Sequence, residues 1–315
     1  MRIVFMGTPE FAVPSLEAIL AAGHTVELVV TQPDRPKGRK KTLTPPPVKE
    51  AALLRGLPVA QPEKLRGSET VQQIAELQPD LIVTAAYGQI LPKAVLEVPR
   101  LGCINVHGSL LPRYRGGAPI QRSIINGEPK TGVTIMYMAE GLDTGDMISV
   151  VEVPIDEADT SGTLFAKLTD AGAKLLAETL PAIEAGTAGR TAQNHEEATY
   201  APNLTRDDER IDWSRPARSI YNQVRGLSPM AGGFTIYNGD PFKVWGCKVV
   251  KRGGGASAEP GTVTAVSDEG ITVQTGEDAL LLTTIQPSGK KAMPAAEWLK
   301  GARLETGTRF GGDEA

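Results

Sequence analysis

Apolar residues recur along the first half of the chain in two alternating rhythms. Short runs rich in branched side chains read as strands: Arg2–Met6, His24–Thr31, Leu57–Ala60, Asp80–Ala86, Gly102–Val106, Val133–Met138 and Met147–Val153. Between them lie stretches with helical spacing. Pro14–Ala22 carries Leu16, Ile19 and Leu20 and stops at Gly23; Ser68–Leu77 starts on an N-cap serine and carries Val71, Ile74 and Leu77. Val48–Leu54, Ala118–Ile125 and Thr160–Ile183 complete the helical set. Such alternation predicts an α/β domain: a Rossmann-like, mostly parallel sheet with helices on both faces. Ligands on sheets of this kind bind outside the carboxyl ends of the strands.

From about Gly186 to Asp208 the apolar period disappears, which reads as a linker. Beyond it, Ser214–Arg225 predicts one helix capped by Gly226. Five short strands follow: Gly233–Tyr237, Pro241–Val250, Gly261–Val266, Ile271–Thr275 and Leu280–Ile285. Turn signals such as Asn238-Gly239-Asp240 and Asp268-Glu269-Gly270 punctuate them, a pattern expected of a small antiparallel barrel. A last helix over Pro294–Lys300 and a frayed tail from Thr306 are expected. The domain expectation is therefore 1–189, a linker over 190–208, and 209–315.

Composition narrows the function classes. A chain of 315 residues needs no disulfide or metal to fold. Its two cysteines, Cys103 and Cys247, exclude a disulfide scaffold or a cysteine-rich zinc site, and no metal is expected. The apolar start is too short for a signal peptide, and no apolar run reaches membrane-spanning length, so a cytoplasmic protein is expected. The net charge is −4, unevenly spread. Residues 209–315 hold 13 Lys/Arg against 12 Asp/Glu; residues 1–208 hold 20 against 25. Inside that acidic part, Asp34–Lys49 forms a basic island with Arg35, Lys37, Arg39, Lys40, Lys41 and Lys49. Either a solvated charged loop or a local phosphate contact fits it.

Several familiar signals fail. The turn Gly7-Thr8-Pro9-Glu10-Phe11 follows a strand but lacks the G-x-G-x-x-G spacing of a dinucleotide site. Gly289-Lys290-Lys291 lacks the rest of a Walker loop. Asp143-Thr144-Gly145 occurs once, whereas aspartic proteases need two such carboxylates.

Cys103–Pro112 (CINVHGSLLP) carries more. On a strand, Asn105 and His107 share one face while Ile104 and Val106 share the other. Two polar groups on a buried face either fix a loop through hydrogen bonds or do chemistry. Asp143, in the loop after Val133–Met138, is expected on the same sheet edge. An Asn, a His and an Asp converging there suit attack of an amine on a carbonyl carbon. The amide donates to the developing oxyanion, and the imidazole adds a donor or moves a proton beside the carboxylate. Nothing flanks Ser109 or the cysteines as an activated nucleophile, so direct transfer is expected.

These residues resemble the folate-dependent formyltransferases. The resemblance is carried by Asn105-x-His107, Ser109-Leu110-Leu111-Pro112 and Asp143. Gly7-Thr8-Pro9, Thr31–Pro36, Ala86–Pro92, Asn105–Gln121, Gly141–Asp146, Arg210–Trp213 and Gln286–Met293 extend it over nearly the whole chain. Together they resemble the branch of that family acting on methionyl-tRNA. The resemblance implies transfer of a formyl group from 10-formyltetrahydrofolate to the α-amine of methionine on initiator tRNA. It implies Asn105, His107 and Asp143 as the catalytic set. Ser109, Leu110, Leu111 and Pro112 with Tyr87, Gly88, Ile90 and Leu91 are the implied folate site; for any single leucine, ordinary core is the alternative. The basic island resembles the family's inserted loop, with Arg35, Arg39, Lys40 and Lys41 toward tRNA. An OB-like barrel is the implied second domain, with Lys290 and Lys291, and also Lys243, Lys248, Lys251 and Arg252, as phosphate contacts. Gly226–Ala231 departs from the Asn-Pro-x-Pro segment common in the family. A monomer with no membrane partner is expected. Two other readings stay open: formylation of an amino-sugar nucleotide or other small amine, and non-catalytic RNA binding on the same scaffold.

Overall fold

The computed structural model describes residues 1–38, 40–251 and 258–311. Nine strands form the first part: β1 (Arg2–Gly7), β2 (Thr25–Val30), β3 (Arg35–Lys37), β4 (Thr42–Thr44), β5 (Val59–Ala60), β6 (Leu81–Ala85), β7 (Cys103–His107), β8 (Lys130–Tyr137) and β9 (Met147–Pro154). The helices there are α1 (Val13–Ala21), α2 (Pro47–Leu54), α3 (Glu69–Leu77), α4 (Lys93–Leu96), α5 (Pro119–Ile125) and α6 (Ser161–Glu184). The chain divides into two units that interleave in sequence. The first is 1–119, 130–154 and 165–202; the second is 120–129, 155–164 and 203–315.

The sheet of the first unit has the order β5-β2-β1-β6-β7-β8-β9. The pairs from β5 through β7 are parallel, whereas β8 runs antiparallel to both β7 and β9. This is the mostly parallel sheet expected. Its two faces are both covered. Val4, Met6, Leu28, Val30, Ile82 and Cys103 pack with Ile74 of α3 and Val95 of α4. On the other face, Gly172 of α6 sits against Val106 and Val133. The strands are apolar on both faces because both are buried, which is why periodicity alone locates them well. Strand order reverses between β1 and β6, since β2 lies on one side of β1 and β6 on the other. The carboxyl ends of those two strands are therefore the place where such a sheet opens a crevice.

The antiparallel direction of β8 changes one expectation. Tyr137 pairs with Ile104 and His107 with Thr134, so the chain leaves β8 beside the start of β7. The loop carrying Asp143 thus departs from the edge opposite His107. To meet His107 it must fold back about 13 Å, roughly four residues of strand.

The second unit holds α7 (Arg206–Glu209), α8 (Ala217–Leu227), β10 (Gly233–Tyr237), β11 (Asp240–Val250), β12 (Val263–Ser267), β13 (Gly270–Gln274), β14 (Ala279–Gln286), β15 (Met293–Pro294) and α9 (Ala295–Leu299). Its antiparallel sheet has the order β10-β11-β14-β13-β12, with β15 added to β14. Gly226 does not cap α8; it lies inside the helix, where a Cβ would stand 2.7 Å from Ile125 Cγ1. Nor is the tail frayed up to residue 311. Val263 N–H donates to Thr308 O, Phe310 N–H to Gly261 O and Gly311 N–H to Ile236 O. The tail thereby bonds both edges of the sheet and drives Phe310 into the core, stacked on Phe242 at 5.4 Å and near Trp213 at 6.2 Å. One buried aromatic decides this segment, against a polar, glycine-rich composition that reads as disorder.

Candidate active site

His107 ends β7 with its ring buried. The carbonyl of Tyr114 can only accept, so the His107 Nε2–H donates to it at 3.0 Å. That bond turns Nδ1 toward Asp143, whose Oδ2 lies 3.7 Å away. The same Oδ2 accepts the Gly116 N–H at 2.8 Å. Gly116 has φ 116°, and a Cβ there would meet the Ala201 carbonyl oxygen at 2.8 Å, so the position suits glycine alone. Asp143 itself is held in the left-handed region at φ 49°.

Asn105 stands two residues earlier on the same face, partly buried, about 7 Å along the strand. Its Oδ1 is 2.8 Å from Thr84 Oγ1 on the neighbouring strand β6. A proton given by Thr84 to Oδ1 leaves the Asn105 NH₂ turned outward as a donor. Burial pushes the neighbouring Cys103 thiol up to about 12, so it carries no thiolate at neutral pH.

The residues expected along a ring-binding pocket divide into two sets. Tyr87 and Gly88 follow β6 at the strand-order reversal. The Tyr87 carbonyl accepts from Thr8 Oγ1 at 2.9 Å and from Gln32 Nε2 at 3.2 Å. Its ring is buried, its hydroxyl has no hydrogen-bond partner among the described residues, and burial raises that hydroxyl to about 12. Ile90 is 85% exposed, whereas Leu91, the next residue, packs into the core. Ser109 is wholly buried, its hydroxyl donating to Arg113 O at 2.7 Å. Leu111 is buried, Leu110 half-buried against Gly132, and Pro112 follows a cis peptide bond.

Three residues that sequence reasoning passed over are linked by hydrogen bonds to the Asp143 loop. Arg115 is 2% exposed, and Gln193 and His195 come from the stretch read as linker. Arg115 donates to Gln193 Oε1 from Nε at 3.1 Å and from Nη2 at 2.7 Å, and Nη2 is 3.1 Å from His195 Nδ1. Gln193 Nε2 donates to the carbonyls of Asp143 at 2.8 Å and Gly145 at 2.7 Å. Backbone bonds fasten the stretch: Arg115 N–H to Thr199 O, and Ala201 N–H to Arg115 O. A run without apolar period hides such a role, because its bonds are polar and long-range.

Two family models match this chain: "Formyl transferase" over residues 1–180 and "Formyl transferase, C-terminal domain" over 203–303. The chain belongs to the formyl transferase family. The methionyl-tRNA formyltransferase of Bacillus subtilis is 58% identical over 98% of both chains, and that of Geobacillus thermodenitrificans 55% identical over 98% of both. Among solved structures, an N-formyltransferase of Helicobacter canadensis, in complex with folinic acid and dTDP-3-aminofucose, superposes with a TM-score of 0.68. It is 19% identical and matches 89% of this chain and 98% of its own, a likeness of fold. Within this formyl transferase, Gln193, His195 and Thr199 fall between the two matched regions.

The basic residues of the formyl transferase are not equivalent. Strands β3 and β4 pair antiparallel, Arg35 with Thr44 and Lys37 with Thr42. Arg35 is paired with Glu63 at 2.9 Å, and Lys49 with Asp34 at 2.8 Å. Lys37, Lys40 and Lys41 are exposed and form no ion pair among the described residues. Arg39 and Arg252 lie outside the described residues. In the second unit, Lys243 donates to Ala231 O at 2.6 Å beside the Trp245 ring. Lys248, Lys251, Lys290 and Lys291 are on the surface of that unit, with Lys248, Lys251, Lys290 and Lys291 all exposed. Among the described residues no group of three His, Cys, Asp or Glu stands together as a metal site, and no helix is long and apolar enough to cross a membrane.

Proposed function

We propose that this protein formylates the α-amine of methionine on initiator methionyl-tRNA, with 10-formyltetrahydrofolate as donor. The observation that carries the chemistry is the His107–Asp143 pair, 3.7 Å apart, on the face that also bears Asn105. Support for the acceptor comes from relatives of that name, more than half identical over nearly the full length.

The donor supplies an activated formyl carbon. We assign the donor's flat, polar-edged ring to the carboxyl ends of β1 and β6, where strand order reverses and exposed Ile90 offers an apolar surface beside the Tyr87–Gly88 turn. Asn105 donates its outward NH₂ to the formyl oxygen as that oxygen gains charge. His107, locked through Nε2, presents Nδ1 for the proton lost by the attacking amine; as the tetrahedral adduct collapses, the bond between the formyl carbon and the donor nitrogen breaks, that nitrogen takes the proton, and tetrahydrofolate leaves. Asp143, 3.7 Å from Nδ1, faces the positive charge that develops there. No residue needs to carry the formyl group. The exposed Lys37, Lys40 and Lys41, with Arg39, suit phosphate contacts, and Lys290 and Lys291 offer a second basic point on the C-terminal unit.

A direct assay tests the reading. Purified protein with 10-formyltetrahydrofolate should formylate methionylated initiator tRNA and discriminate strongly against methionylated elongator tRNA. Equal or better turnover of a free amino-sugar nucleotide would move the protein to the small-amine reading. Binding of tRNA without turnover would leave the non-catalytic one.

A further inference from the structure

We propose that Gln193 is a positioning residue for the reaction: it holds the Asp143 loop in place and thereby sets the carboxylate against His107. The inference rests on the function proposed above.

The loop needs such a holder. It leaves β8 at the sheet edge remote from His107 and must return across the face. Asp143 sits in the left-handed region, where a non-glycine residue stays only if its surroundings require it. Its carboxylate is fixed by one backbone donor, Gly116 N–H. The loop backbone itself is gripped at two points by one side chain, Gln193 Nε2, through the carbonyls of Asp143 and Gly145.

The chemistry fixes the direction of that amide. Arginine only donates, so the oxygen of Gln193 must face Arg115, and its NH₂ must face the loop. Both protons of the NH₂ are used, and the oxygen accepts twice. No other side chain of this length offers two donors forward and an acceptor behind. Arg115 is buried and pairs with no carboxylate among the described residues. It therefore holds a neutral acceptor rather than being drawn to an acid. His195 and the backbone of Thr199 and Ala201 hold Arg115 in turn.

Gln193→Glu separates positioning from structure. A carboxylate still accepts from Arg115, now as an ion pair, but it turns an oxygen toward two carbonyl oxygens and releases the loop. The variant should keep a cooperative thermal transition. The rate constant kcat should fall about a hundredfold, with KM for initiator tRNA little changed, as expected when a reacting group is misplaced by about 1 Å. In an Asp143→Asn background, Gln193→Glu should cost almost nothing more, because both changes act on one carboxylate. Exchange of the Gly116 amide, which Asp143 covers, should accelerate at least about tenfold.

Full additivity with Asp143→Asn, or unchanged Gly116 exchange, would overturn the proposal. If Gln193→Glu loses its cooperative transition, Gln193→Met is used instead: it keeps length and apolar bulk but cannot donate, and the same cycle and exchange measurements apply. Failure of the wild-type protein to formylate initiator methionyl-tRNA would overturn the proposed function, while Gly116 exchange would still decide whether Gln193 holds the loop.

Discussion

Thr84 decides which way the Asn105 amide faces. Its hydroxyl has one proton, and both Asn105 Oδ1 and the Ile104 carbonyl lie within reach, at 2.8 and 3.1 Å. Thr84→Val keeps the shape and removes the proton. The partly buried Oδ1 then loses its Thr84 donor, a cost of about 1 kcal/mol, and the amide is free to flip. We expect kcat to drop about tenfold with tRNA affinity unchanged, read by steady-state kinetics beside a filter-binding titration. Asn105→Ala and His107→Ala remove the donors outright. Each should lower kcat by about 10²-fold or more while leaving tRNA binding intact. Near wild-type rates in either would remove that residue from the chemistry.

At the scale of elements, the paired strands β3 and β4 carry a basic cluster whose flanks are tied down. Arg35 and Lys49 are already paired with acids, which leaves Lys37, Lys40 and Lys41 as the cations available to a phosphate among the described residues there. Replacing these three by alanine should weaken tRNA binding and flatten its salt dependence by roughly one unit of slope for each phosphate no longer neutralised. An unaltered slope would place the β3–β4 segment away from the tRNA. The C-terminal tail behaves as an element too. Phe310→Ala empties a stacked aromatic site and should cost about 3–5 kcal/mol, measured by denaturant unfolding. Acid sensitivity has a local source in the same unit. Asp208 accepts from Arg122 at 2.7 and 3.0 Å and from Thr205 N–H at 2.8 Å; these bonds hold its carboxyl below the ordinary carboxylate range despite some burial. A carboxyl lowered by folding stabilises the native state above the ordinary carboxylate range. That stabilisation is lost as pH falls from this range through the lowered folded value. Asp208→Asn should therefore flatten the acid limb of a stability-against-pH curve and lower stability at neutral pH.

At the scale of the whole molecule, the two units are not consecutive pieces of chain. Residues 120–129 and 155–164 belong with the C-terminal unit. Within it, Arg225 donates to the carbonyls of Asp156 and Asp159, and Ser161 Oγ to Ser228 O at 2.7 Å. A fragment ending at residue 202 would strip these groups of their partners and expose Ile125. We expect such a fragment to be aggregation-prone, checked by light scattering against the full chain, even though it contains Asn105, His107 and Asp143. The segment around Gln193 is likewise tied to a site far from it in sequence.

The chain's own residues determined the longer elements and the family. Strands buried on both faces must be apolar, helices must show one apolar stripe, and an Asn-x-His strand with a distant Asp carries its meaning in residue type and alternation. Tertiary structure decided what depends on direction and distance. It set β8 antiparallel, so that the Asp143 loop had to return across the sheet. It made the polar stretch around Gln193 part of the site, and it drew Phe310 into a core. Backbone direction leaves no trace in periodicity, and hydrogen bonds between residues 50 or 80 positions apart have no local signature; both exist only once the chain has closed on itself.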